Sequence, residues 1–76
     1  MDVSNPRISD LTPREREVLK LVCQGANDDK IAKTLGLSVN TVRNHLRAIY
    51  NKLDIHRRSA LIVWALKQMG PGGAFD

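Results

Sequence analysis

At 76 residues the chain is one small domain, and a chain of that size buries only about 60% of its unfolded surface, so it holds one core and no deep catalytic cavity. Hydrophobic residues at 42% and charged ones at 26% exclude a disordered chain, and no run reaches the roughly 18 apolar residues that a bilayer requires. The net charge of +4 is unevenly spread: residues 1–29 carry four basic and six acidic side chains, residues 30–76 eight basic and two acidic, which points to an anionic partner for the second part.

Residues 1–10 are polar, carry Pro6 and lack a helical or strand period, so they read as a flexible lead-in or linker. They have neither the basic nor the apolar stretch of a secretion signal. Cys23 is the sole cysteine, which excludes an intrachain disulfide and a thiolate metal site. A reducing, cytoplasmic location follows as the expectation.

The first helix begins after Leu11. Thr12 is its N-cap, Pro13 sits at N1 where a missing N–H costs nothing, and Glu15 at N3 completes a capping box. Val18, Leu19, Leu21, Val22 and Cys23 form its buried face, and Arg14, Glu15, Arg16, Glu17 and Lys20 its wet one. Gly25 ends it as a C′ residue, and Cys23 reads as a small buried thiol rather than a redox sensor.

Asn27 caps a short second helix, with Asp28 and Asp29 in the first turn, where the macrodipole favours anions. Ile31, Ala32 and Leu35 face inward, and Gly36 stops the helix. Ser38 re-caps the chain two residues later, which is the pattern of a helix-turn-helix; the small Ala32 lets the two helices approach.

The third helix, Val39 to Leu53, carries the chemistry. At about 100° per residue, Val42, Leu46, Ile49 and Leu53 fall within roughly 60° of one another and form a core seam, with Leu37 and Val42 placed as a hydrophobic staple. Asn40, Arg43, Asn44, Arg47 and Asn51 fall within about 100° on another side. Arginine can pair bidentately with guanine O6 and N7, and asparagine with adenine N6 and N7. That face suits nucleic acid better than it suits plain solvation, because it follows a tight turn and its cations stand one turn apart.

After Leu53, Asp54 takes a left-handed turn and Ile55 returns to the core. From Arg58 to Met69 the chain has helical length, and seven consecutive positions, Ala60 to Leu66, are apolar. A strand is the other reading of LIVWAL, but no partner strand exists for it. If Leu61, Ile62, Ala65 and Met69 form the inward stripe, Val63 and Trp64 are left over for an interface between two copies. The competing reading places Trp64 in the monomer's own core. Residues 70–76, GPGGAFD, read as a disordered tail.

The segments LTPREREVLKLVCQG, KIAKTLGLS and TVRNHLRAIYNKL, with Arg58 and Ala60, together resemble the DNA-binding domain of the LuxR (NarL or GerE) family of bacterial transcription regulators, over about residues 11–69. The resemblance implies an all-α, compact four-helix domain with a central helix-turn-helix, the third helix in the major groove and the fourth serving as dimer interface. Carried onto this sequence, Arg43, Asn44 and Arg47 would contact bases, and Lys33, Ser38, Asn40, Thr41, His45, Lys52 and Arg58 the DNA backbone. Partners implied are double-stranded DNA, a second copy through helix four, and RNA polymerase; no cofactor, metal or membrane is called for. Three positions depart from the family pattern. Lys30 stands where a Glu usually completes the second capping box, Asp54 replaces a usual Gly, and Arg57 occupies the place of a small capping residue.

No nucleophile, base and orienting group cluster in the sequence, and His45, His56 and Asp54 lack ligand spacing, so neither an enzyme nor a metal site is expected. A sigma-factor region-four domain shares the helix-turn-helix but ends soon after it, whereas this chain continues into an apolar helix. The alternative from another class is an interaction module that pairs through helix four with a full-length regulator without binding DNA. LuxR-type regulators also carry an N-terminal receiver or ligand-binding domain, so the chain reads either as a stand-alone regulator or as an output domain.

Overall fold

In the computed structural model, which describes residues 8–69 and the side chains of all of these but Met69, the helices α1 to α3 begin and end where the local chemistry demands it. A 3-10 turn, Ile8–Asp10, leads into α1 (Pro13–Cys23), α2 (Asp28–Leu35), α3 (Val39–Leu53) and α4 (Arg58–Met69). The lead-in therefore does contain a helical turn. Ile8 packs against the core, and its carbonyl accepts from the Leu11 N–H at 3.0 Å. Residues 1–7 of the proposed linker over 1–10 and the proposed tail over 70–76 lie outside the described residues.

The caps are as the residue types require. The Thr12 hydroxyl accepts from the Glu15 N–H at 3.1 Å while a Glu15 carboxylate oxygen accepts from the Thr12 N–H at 2.9 Å, so two otherwise orphaned donors are satisfied at once. Asn27 accepts from the Lys30 N–H at 2.9 Å, and Ser38 from the Thr41 N–H at 3.0 Å. With Lys30 in place of an acid, no reciprocal bond is possible at α2.

Three helix ends use one device. The chain turns left-handed at Gly25, Gly36 and Asp54, with φ of 87°, 69° and 53°. The following N–H then reaches back to a carbonyl in the last turn: Ala26 to Leu21, Leu37 to Ala32, and Ile55 to Tyr50. This is the Schellman arrangement. A Cβ at Gly36 would meet nothing within 4 Å, so glycine is needed there for its backbone freedom and not for space.

The core consists of Leu11, Val18, Leu19 and Val22 from the first segment, Ile31 and Ala32 from α2, Val42, Leu46, Ile49 and Leu53 from α3, and Leu61 and Ala65 from α4. Helix α3 packs on α2 and α1, and α1 also packs on α4. Leu21, Cys23 and Leu35 are only half-buried. Burial pushes the Cys23 thiol up, which favours its protonated form.

Glu15 departs from the sequence reading: expected on the wet face, it is 5% exposed. The reason lies in spacing, since Leu11, Glu15, Val18 and Val22 recur at helical intervals and share one face. Its carboxylate is met there by the Lys52 ammonium at 2.7 Å. Desolvation opposes ionisation of Glu15. It is outweighed by the hydrogen bond and charge of Lys52 together with the Thr12 N–H and hydroxyl, so the carboxyl titrates below its ordinary value.

Helix α4 departs in detail. Trp64 is half-buried and packed against the core, while Val63 and Leu66 are each 52% exposed. At about 100° per residue Trp64 lies only about 60° from Leu61, so it follows that buried residue inward. Leu66 thus joins Val63 on the outer face, while the part of Trp64 left uncovered lines an open depression beside Val63. Among the described residues no helix is long and apolar enough to cross a membrane.

Candidate nucleic-acid interface

Helix α3 is polarised by its own sequence. Val42, Leu46, Ile49 and Leu53 are buried, whereas Asn40, Arg43, Asn44, Arg47 and Asn51 are all exposed. The buried seam fixes the helix's rotation about its axis, and so fixes which side chains reach outward. A turn of three residues between α2 and α3, Gly36, Leu37 and the N-cap Ser38, sets the approach.

Within the exposed face, an Arg47 guanidinium nitrogen donates to the Asn44 side-chain oxygen at 3.4 Å, a long bond that a better acceptor would displace. Arg43 is 64% exposed and its Nε stands 3.5 Å from an Asp28 carboxylate oxygen at the start of α2. Among the described residues its terminal nitrogens form no bond, and Arg43 lines two open depressions. The three residues expected to contact bases thus stand together on one surface.

The seven residues expected at the DNA backbone are divided. Ser38 and Thr41 meet at the N-terminus of α3, the Ser38 hydroxyl donating to the Thr41 hydroxyl at 2.9 Å. There the helix dipole and first-turn N–H groups favour an anion. Asn40 and Lys33 are exposed, and His45 is half-buried on the flank of α3. Lys52 and Arg58 are engaged inside the chain. Lys52 holds Glu15 as described, and Arg58 donates to an Asp28 oxygen at 3.1 Å and to the Ala26 carbonyl at 2.9 Å.

Two residues of this region escaped the sequence reading. Asp28 gives one carboxylate oxygen to Arg58 and presents the other to Arg43. Nothing local announces that role, because its partners lie 15 and 30 positions away. Glu15 did carry a signal in its spacing from Leu11 and Val18. His56 and Asp54 meet at 3.2 Å with both side chains almost wholly exposed, a surface contact.

The model of the bacterial regulatory proteins of the LuxR family (GerE) matches residues 9–65, spanning the helix-turn-helix and most of α4. The chain belongs to this family. It is 37% identical over 57 residues to the nitrate/nitrite response regulator protein NarL of Escherichia coli strain K12, covering 75% of this chain and 26% of that protein. It is also 39% identical over 69 residues to the HTH-type transcriptional regulator MalT of Serratia proteamaculans, covering 87% of this chain and 8% of that one. The chain thus spans well under a third of either relative. As a LuxR-type helix-turn-helix domain it is a DNA-binding domain of transcription regulation, and not a catalytic one.

Proposed function

We propose that this domain reads double-stranded DNA by laying α3 in the major groove, with Arg43, Asn44 and Arg47 at base edges and Lys33, Ser38, Asn40, Thr41 and His45 at the phosphates. The observation that carries this is the division of α3 into a fully buried apolar seam and an exposed face of arginines and asparagines. Lys52 and Arg58, with their charges committed to Glu15 and Asp28, serve chiefly to hold α3 and α4 in place, and contribute to DNA binding through that geometry.

The domain acts as a weak dimer on paired half-sites, within a regulator that works on RNA polymerase at a promoter. Supporting this is the outer face of α4, where Val63 and Leu66 stand half-exposed one turn apart. A two-fold pairing of α4 with its copy would cover both and set two α3 helices on one side of the duplex about one turn apart. So small a patch gives a loose dimer in free solution, and the second half-site fills by effective concentration.

Val63→Asp separates the parts of this reading. Circular dichroism should show the fold retained, and mobility shift should show half-site affinity kept while cooperative filling of a paired site is lost. Unchanged cooperativity would remove α4 from the interface. Absence of any salt-sensitive duplex binding by the unaltered domain would leave only an interaction module pairing through α4.

A further inference from the structure

An exposed arginine on a DNA-binding face has two competing uses. It can neutralise phosphates, which is strong, geometrically loose and blind to sequence, or it can aim its planar fork at a base edge, which discriminates. The side chain has several free torsions, and without restraint the phosphates on either side of the groove draw it away. A base-reading arginine therefore gains from a group that holds its stem and partly cancels its charge while leaving the fork open.

Asp28 stands in that place. Its second carboxylate oxygen lies 3.5 Å from Arg43 Nε, the nitrogen nearest the aliphatic stem, and Arg43 remains 64% exposed, so the terminal pair of nitrogens is left for the duplex. Asp28 is itself held: Arg58 Nη1 donates to its first oxygen at 3.1 Å, and Nη2 of the same guanidinium donates to the Ala26 carbonyl at 2.9 Å. Asp28 is 26% exposed on its side chain, so it is anchored by the α4 end and does not wander with solvent. A relay from the start of α4 through the start of α2 thus reaches one side chain of α3. Arg47, by contrast, pairs among the described residues with Asn44 and with no acid.

We propose that Asp28 is a specificity-determining positioning residue, which converts Arg43 from a general phosphate binder into a reader of one base pair. This rests on the reading of α3 as the base-contacting helix. Asp28 touches no base; it acts through Arg43. Its negative charge also subtracts from nonspecific attraction, so it lowers affinity for random duplex while sharpening the choice among sequences.

The test is binding-site selection on random duplex, followed by titration of the selected site and of an unrelated duplex, for the unaltered domain, Asp28→Asn, Arg43→Ala and the double variant. Asn keeps the shape of the side chain and remains acceptable in the first turn of a helix. Asp28→Asn should tighten binding to the unrelated duplex, lower the ratio of specific to nonspecific affinity roughly fivefold or more, the low end of what one bidentate base contact discriminates, and blunt the preference at one base pair only. That base pair should be the one blunted by Arg43→Ala, and in the Arg43→Ala background Asp28→Asn should leave the profile unchanged.

A merely structural role would lower thermal stability and weaken all sequences alike, and that outcome overturns the proposal. So does tighter binding to all duplexes with the profile intact, which would make Asp28 only a repelling charge. If Asp28→Asn folds poorly, Asp28→Glu keeps the charge but moves the carboxylate by one methylene; it must still blunt the same base pair, and an intact profile refutes the assignment. A flat response to Arg43→Ala would instead refute base reading by Arg43, a failure distinct from Asp28→Asn being silent while Arg43→Ala is not.

Discussion

Replacing Lys52 by Met keeps the aliphatic stem and removes only the ammonium, leaving Glu15 with a carboxylate side chain 7% exposed and the Thr12 N–H as its remaining close donor. At 2.7 Å the gross attraction at an effective dielectric constant near 20 is about 6 kcal/mol. Most of that is offset by desolvation of Glu15, and Lys52 itself is 39% exposed and screened by water. A net loss of about 1–2 kcal/mol at neutral pH is expected, in the range of a charge-assisted hydrogen bond discounted for exposure. For a domain of this size that lowers Tm by roughly 4–8 °C per kcal/mol. The sign with pH is fixed by the direction of the Glu15 shift. Its folded value lies below the ordinary 4.5, so its contribution is present above that pH and lost as pH falls through the lower folded value. In Lys52→Met the opposing desolvation dominates and the folded value moves up, so protonation relieves the variant. Urea melts at neutral pH and at successive values below 4.5 should show the gap between the two proteins narrowing with acid. Equal stability at neutral pH, or a gap that widens in acid, refutes the assignment. The slope of log affinity against log salt should be nearly unchanged in Lys52→Met; a drop of about one unit would show that Lys52 also meets a phosphate.

Ser38→Ala should cost about 1 kcal/mol in urea melts, since it removes the acceptor of the Thr41 N–H. Arg57→Ser should be neutral or stabilising by a few tenths to about 1 kcal/mol, because Arg57 sits at the N-cap of α4, its carbonyl accepting from Leu61, and brings no side-chain acceptor and a like charge to the positive helix end; clear destabilisation would mean its side chain makes a native contact. Asp54→Gly should raise stability by about 0.5–1 kcal/mol by relieving the left-handed backbone at φ 53° and removing an anion from the negative end of α3. A fall in Tm would show that the His56 contact outweighs both.

Helix starts were legible because capping is local chemistry: Thr12, Asn27 and Ser38 each bond a backbone N–H three residues on, and the short polar side chains that can do so are few. The helix ends were legible for the same reason at Gly25, Gly36 and Asp54. The core seam of α3 and its exposed face followed from one period. Helix α4 was harder, because a run of seven apolar residues has no polar stripe to phase it, and packing in the folded chain decided that Leu61 and Ala65 are buried, Trp64 half-covered and Leu66 exposed. The acid–base pairs were least legible. Lys52 and Arg58 meet carboxylates 37 and 30 residues away, and periodicity within a helix says nothing about which element will lie across from it.

Site selection on random duplex with the unaltered domain and with Arg47→Ala tests the central claim most directly. The buried seam of α3 presents Arg47 outward, so the unaltered domain should enrich a defined motif, and Arg47→Ala should weaken it by about 1–3 kcal/mol and flatten the preference at one base pair while the rest of the motif survives. Enrichment of no motif by the unaltered domain, or a motif that Arg47→Ala leaves intact at every position, would contradict the assignment of this face to base reading.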